Sequence, residues 1–521
     1  MIMDERYIAA IDLGTSKIAV TIAQINNQDV QMLYYKETPS EGIRNSFVFN
    51  PAKVARPLKE AILEAEAELK IKIRQAVVNL PRYEVRQETA CARLQRTDSE
   101  SAITLEEINY LKSNAIESYP LNDPGKEVMY GVVAQSFSTD DYIHTLESDI
   151  EGMVSDSLDG NFKVFIGRKR HSDNVDRVMN LIEVALAKKF FPPEVTAKAV
   201  LTTEEMENGV ALIELGAGSS SVTVYHKSIL RYYSSIPFGG RTITNDIKLE
   251  CGISEVLAEN IKLAYGVCMP EKLQTLRDKI IQINDDESGS CKQLSVKYLS
   301  EIITSRLNEI ISACLYMIQE SRFADTLRNG VVITGGGAGI PNLSSLIKEM
   351  SGYNVRMGYP VHRFSYSGCS EVNQKSAVAS VGMVLAAKEN NWINCLSEAP
   401  LKTEAVKESV PIIPETEEAV MDEEAVDNII PSEEPIEKQV SEEASVNEEI
   451  PVAEEEAVNT EETQEEKESP EEDEGHNEEK KKTAKVKKDN IFTRITWKIA
   501  KKVGGAVNDA INAGYDSMED E

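Results

Sequence analysis

The sequence predicts an α/β protein of two lobes, with a small α+β subdomain inserted in the first and a long acidic tail behind the second. Three observations predict it. Through about residue 390, apolar runs of strand character alternate with segments of helical spacing. Two of the strand pairs enclose small-residue turns of one design, at residues 12–17 and 214–221. Beyond residue 397 the texture changes to Glu with scattered Pro, Val and Ile.

Charge separates the same regions. The 521 residues hold 56 Lys and Arg against 87 Asp and Glu, a net charge of −31. Residues 397–490 alone carry −22 of it, whereas residues 1–396 carry −8 and residues 491–521 carry −1. This balance argues against nucleic acid as a partner, which needs a basic footprint. The seven cysteines form no C-x-x-C pair, which suits a reducing compartment and argues against a disulfide framework or a zinc site. The first residues lack the basic and apolar regions of a signal peptide, and no uninterrupted apolar run of about 18 residues suits a bilayer.

In chain order, residues 7–13 and 17–25 are the arms of a hairpin around Gly14-Thr15-Ser16. Residues 51–69 have helical spacing, with Val54, Leu58, Ile62 and Leu69 roughly on one face. A short strand at 76–80 ends at Pro81. Residues 82–168 form the insertion, with a strand at 85–94, a helix at 104–119 and a strand at 128–137. A helix is expected at 173–189, then strands at 210–215, 221–226 and 229–236. Two helices follow, about 242–251 and 254–265, the second with Ser254 as N-cap and Gly266 as its stop. Residues 280–292 are expected to be a loop and 295–322 a long helix. A strand at 331–334 runs into Gly335-Gly336-Gly337, followed by a helix at 341–350, a strand at 353–357 and a last helix at 374–387. Residues 397–479 cannot bury enough apolar area to offset ordering entropy, and are expected to be disordered. A chain of that length spans about 50 Å, more when it repels itself.

Three segments carry candidate chemistry. In Asp12-Leu13-Gly14-Thr15-Ser16-Lys17, Gly14 lets backbone N–H groups approach a phosphate, and Thr15 and Ser16 add hydroxyl donors. Asp12, at the strand end, could hold Mg²⁺ through water. Glu214-Leu215-Gly216-Ala217-Gly218-Ser219-Ser220-Ser221 repeats the design: an acid at a strand end, small residues in the turn, hydroxyls after it. Thr334-Gly335-Gly336-Gly337-Ala338-Gly339 permits the close approach of a flat ring or ribose before a helix start. It lacks the G-x-x-x-x-G-K-[ST] pattern of a P-loop. Taken singly, the first two also fit ordinary hairpin turns.

Together and in this order, the three segments resemble the phosphate-1, phosphate-2 and adenosine motifs of the actin/Hsp70/sugar-kinase superfamily. The stretch Gly239-Gly240-Arg241-Thr242-Ile243-Thr244-Asn245-Asp246-Ile247 is more specific, and is similar to the bacterial cell-division FtsA family. So is Ala258-Glu259-Asn260-Ile261-Lys262-Leu263-Ala264-Tyr265-Gly266. The resemblance implies a two-lobed actin-like (ribonuclease-H-like) ATPase fold. Lobe 1 would take residues 5–81, 169–200 and 351–396, with 82–168 inserted. Lobe 2 would take 201–244 and 311–350, with a smaller subdomain at 245–310. It implies ATP and Mg²⁺ as cofactors. Asp12, Gly14, Thr15, Ser16, Lys17, Glu214, Gly216, Gly218, Ser219, Gly239, Gly240, Gly335, Gly336 and Gly337 would line the nucleotide. Glu259 and Lys262 would flank its adenosine, and Asp12 and Glu214 would face the metal. The family's second motif usually reads Asp-x-Gly-x-Gly-Thr-x-Asp; here Glu214, Ser219 and Ser221 stand at its first Asp, its Thr and its last Asp. Nucleotide binding is therefore expected ahead of hydrolysis, and no catalytic base is named.

The far end adds a membrane expectation. A linker at 397–489 closes in a basic cluster, Lys480, Lys481, Lys482, Lys485, Lys487 and Lys488, before a helix at 490–515. At 100° per residue, Ile491, Phe492, Ile495, Ile499 and Val503 share one face of it. Arg494, Lys498 and Lys501 lie opposite, and Lys502 lies at the edge, where it can snorkel. Trp497 falls off the apolar stripe. A basic polar face over a Phe/Ile face suits a helix lying on anionic lipid. A partner-binding helix and a disordered tail are the alternatives. The family resemblance favours the membrane: an actin-like protein that polymerises with itself and tethers the tubulin-like FtsZ ring and other division proteins to the cytoplasmic face of the membrane at the division site. FtsZ would meet residues 245–310. The rivals are another actin-like filament protein, of pilus assembly or rod shape, and a small-molecule kinase. The kinase would have no need of the tail. An Hsp70-like chaperone would need a peptide-binding domain where the acidic linker stands.

Overall fold

The structure is a computed structural model that describes residues 5–396 apart from 27, 28, 285–290 and 362. The expected acidic linker, basic cluster and terminal helix lie outside the described residues. Among the described residues, no helix is long and apolar enough to cross a membrane.

Two sheets of matching design organise the chain. In the first, the antiparallel strands Arg6–Leu13, Lys17–Asn26 and Asp29–Pro39 run consecutively, and Gln75–Asn79 pairs parallel to the first of them. Ala185–Phe190 extends one edge and Ser365–Tyr366 the other. In the second, Val210–Leu215, Ser220–His226 and Ile229–Ile236 form the meander, and Val331–Thr334 pairs parallel to the first strand, with Val355–Met357 outside it. Both leading strands are apolar almost throughout because they are covered on both faces. The fold is two-lobed as expected.

Helices complete each lobe. Pro51–Leu69 starts on Asn50, whose side chain accepts from Lys53 N–H, and buries Val54, Leu58 and Ile62. Val378–Lys388 packs on Pro192–Val200 so closely that a Cβ at Gly382 would lie 2.0 Å from the Val195 carbonyl oxygen. Only glycine allows that approach. In the second lobe the long helix Val296–Glu320, capped by Ser295, buries Leu299, Ile303, Leu307, Ile311 and Ile318 in a core of its own.

The insertion has a separate core under three antiparallel strands, Arg86–Gln95, Ser157–Arg168 and Glu127–Ser138 in spatial order. The helix Leu105–Glu117 lies on it, held by a capping box between Thr104 and Glu107. The insertion also reaches the second lobe. Gln135 Nε2 donates to the Leu230 carbonyl (2.9 Å), Lys163 Nζ to the Arg231 carbonyl (2.5 Å), and the Tyr233 N–H donates to Gln87 Oε1 (3.0 Å).

Two expectations are corrected. The helix expected at 173–189 is a helix only over Lys169–Leu181; Ala185–Phe190 is an edge strand. Its parallel pairing with Gln75–Asn79 overrides local propensity. The loop expected at 280–292 carries two strands, Ile280–Asn284 and Cys291–Ser295, paired antiparallel. Helices Pro192–Val200 and Thr203–Asn208 and the strands Asp29–Pro39 and Ser157–Arg168 had no counterpart in the sequence analysis.

Candidate functional site

The two matching turns close in the same way. Gly14 N–H donates to the Lys17 carbonyl at 3.0 Å, and Gly216 N–H to the Ser219 carbonyl at 2.9 Å. They also meet. A Cβ at Gly218 would lie 2.6 Å from Thr15 Oγ1 and 3.0 Å from the Asn45 nitrogen. Thr15 Oγ1 in turn accepts from Ser46 N–H at 2.9 Å, which ties the turn to the short hairpin Ile43–Arg44 and Phe47–Val48. Ser16 is exposed beside it. Lys17 is drawn to Glu37, which also accepts from Tyr35 Oη at 2.6 Å and Ser376 Oγ at 3.1 Å. Burial alone would raise the Glu37 carboxyl, but Lys17 and these hydroxyls outweigh it and hold its pKa below the usual value.

The other glycines stack on the second turn. Gly335, at φ +90°, would place a Cβ 2.5 Å from the Leu215 carbonyl oxygen, and Gly337 one 3.2 Å from that of Gly216. A side chain at either position would push the loop off the turn. Gly336 has open space at its Cβ position. The helix Gly240–Cys251 begins on the same turn: Gly240 N–H donates to the Gly216 carbonyl (2.9 Å) and Arg241 N–H to that of Ala217 (2.8 Å). A Cβ at Gly239 would clash with both carbonyls. From the helix Glu255–Tyr265, Lys262 Nζ reaches the Gly240 carbonyl (3.0 Å), Thr244 Oγ1 (2.7 Å) and Glu259 Oε2 (2.7 Å). Residues 14–17, 216–219, 239–240, 259, 262 and 335–337 thus converge on one region. Asp246, inside the most specific motif, makes a bidentate pair with Arg306 (2.6 and 2.9 Å) that fastens this helix to Val296–Glu320.

Several residues at this site had no signal in the sequence. Arg82, just past the strand Gln75–Asn79, is buried, and its Nε lies 2.9 Å from Glu214 Oε1. Thr196 Oγ1 donates to the other Glu214 oxygen at 3.1 Å. Burial disfavours the Arg82 cation, but Glu214 and then Asp12 outweigh that and raise its pKa. Asp12 is buried too, which raises its carboxyl above the usual range although Arg82 and Lys17 oppose the shift. Its Oδ1 accepts no hydrogen bond from the described residues. Tyr233 Oη donates to the Arg82 carbonyl and fixes the turn that carries it. Lys375 Nζ approaches the Ala338 carbonyl (3.5 Å) over the Tyr359 ring, and burial lowers its pKa.

Mg²⁺ was expected between Asp12 and Glu214. The pair as it stands does not fit an ion held by both, because Glu214 spends one oxygen on Arg82 and the other on Thr196. Among the described residues no group of three or more His, Cys, Asp or Glu could hold a metal.

Comparisons with known proteins point to one family. The family model described as Cell division protein FtsA matches residues 211–382, which span the second turn, the glycine-rich loop and Lys262. Cell division protein FtsA of Neisseria meningitidis serogroup B is 27% identical over 365 residues, 69% of this chain and 85% of its own length. That of Borreliella burgdorferi is 27% identical over 403 residues, 77% and 95%. Over these lengths the chain is similar to FtsA. Among solved structures, a PilM-PilN type IV pilus biogenesis complex superposes with a TM-score of 0.52 at 16% identity, covering 73% of this chain and 98% of that one. The fold is actin-like.

Proposed function

We propose that the chain is an actin-like cell-division protein that binds ATP between its lobes, assembles with copies of itself, and tethers FtsZ and further division proteins to the cytoplasmic face of the membrane through residues 490–515. One observation carries the nucleotide part: Thr15 and Gly218, on turns of the same design in different sheets, touch. Such turns offer backbone N–H groups to a phosphate chain from two sides. Glycines 335–337 and the Glu259–Lys262 pair would then hold the adenosine, while Gly14, Ser16, Lys17, Gly216 and Ser219 meet the phosphates. Asp12 and Glu214 receive no metal in this assignment. Its role in division rests on the likeness to FtsA.

Co-sedimentation with anionic liposomes, with and without ATP, tests the whole reading. Full-length protein is expected to pellet, more so with ATP, because assembly multiplies weak helix–lipid contacts. Protein ending at residue 489 is expected to stay in solution. Equal pelleting of the two would remove the tether, and absence of any ATP binding would remove the cleft.

A further inference from the structure

The two carboxylates at the strand ends share one buried cation. A guanidinium stands with them. Arg82 stands at the start of the insertion, just past the first lobe's strand Gln75–Asn79, and Glu214 on the second lobe, so their 2.9 Å pair joins the two. Glu214 is further fixed by Thr196. Among the described residues, the two terminal nitrogens of Arg82 have no hydrogen-bond acceptor, which leaves a planar fork of donors for a phosphate. Lys17 and Lys262 stand on the same site with partners of their own. Asp12 and Glu214 are both within electrostatic reach of the guanidinium.

We propose that Arg82 is a phosphate-binding residue whose fixed charge takes the place of a divalent cation, so that this chain captures a nucleoside triphosphate without a metal. The inference rests on the proposed ATP cleft. A metal ion on Glu214 would have to displace a buried guanidinium or sit beside its like charge. Arg82 already supplies one positive charge where phosphate charge gathers, at a position preset by Glu214, Tyr233 and the Ser46 hydroxyl that accepts from Arg82 N–H (2.8 Å). Each Glu214 carboxylate oxygen lies against a fixed donor group, Arg82 or Thr196, which an ion bound there would have to displace or share.

The test is titration of the full-length protein with a fluorescent ATP analogue in excess Mg²⁺ and in EDTA. The wild type should bind with affinities that agree within about threefold in the two conditions. Arg82→Ala should lose at least about tenfold in EDTA, with much of the loss recovered in Mg²⁺. Since Arg82→Ala strands the buried Glu214 charge and can fail to fold, the double variant Arg82→Gln/Glu214→Gln, which removes both charges, is measured alongside and should show the same dependence on metal. If EDTA weakens wild-type binding tenfold or more, or if the double variant binds as well in EDTA as in Mg²⁺, the proposal is wrong while the nucleotide cleft stands. If the wild type binds the analogue in neither condition, the cleft assignment falls and this proposal with it.

Discussion

Gly218 sits against Thr15 with no room for a methyl group, and that contact is where residue-level chemistry becomes testable. In Gly218→Ala the new Cβ would press on Thr15 Oγ1 and on the Asn45 nitrogen, so the turns must separate. We expect a loss of about 1–3 kcal/mol in unfolding stability, read by urea denaturation, and weaker ATP binding. Glu214→Ala would leave Arg82 buried without its counter-charge, and about 3–5 kcal/mol of stability should go with it. A loss below about 1 kcal/mol would mean that the pair is solvated and behaves as a surface ion pair. The glycines and hydroxyls of this site were legible in the sequence because each turn carries its own local signature. Arg82 was not. It lies far along the chain from both Asp12 and Glu214, and a lone Arg after a proline has the look of a surface residue. Only the parallel pairing of Gln75–Asn79 with Arg6–Leu13 brings it beneath the turns. Lys375 was hidden for the same reason.

Among the elements, the hairpin at 43–48 matters because Ser46 donates its N–H to Thr15. It is held in turn by the helix Lys169–Leu181, where His171 stacks on Phe47 with centroids 4.1 Å apart and planes within 5°. Burial, with Arg168 and Arg170 nearby, lowers the His171 pKa to about 4 from 6.5, although Glu84 lies 3.9 Å from its Nδ1. Burial outweighs that carboxylate, so the ring is neutral at pH 7. The sign follows. Between pH 4 and 6.5 the unfolded chain takes up a proton that the folded chain refuses, so stability from this residue is full above pH 6.5 and falls as the pH drops through the window. His171→Phe keeps the stack and removes the proton. Its urea midpoint should fall less than that of the wild type between pH 7 and pH 4.5, and parallel curves would show that His171 does not titrate there. At this scale the sequence served well where patterns were local: Pro51–Leu69, Ile229–Ile236 and Val331–Thr334 have the expected bounds. It failed for Ala185–Phe190, whose half-buried, lysine-bearing edge position lacks the alternation of a strand. The edge pairing that makes it a strand is long-range and leaves no local mark.

For the whole molecule, the proposed tether must contend with the −22 charge of residues 397–490, which anionic lipid repels. Removing residues 400–479 takes most of the acidic charge away from Lys480–Lys488. Vesicle affinity at low salt should rise, and the rise should fade as salt screens the charges. Unchanged affinity at low salt would discard the idea that the acidic stretch masks the lysines. The body has a mechanical property of its own. The insertion belongs in sequence to the first lobe, yet Gln87, Gln135 and Lys163 clasp backbone atoms of Ile229–Ile236 in the second. A jaw strapped to both of its plates cannot gape freely: if the lobes separate to release a ligand, the insertion must either swing with the second lobe or let go of it. Whatever grips the insertion from outside therefore also has a hand on the lock.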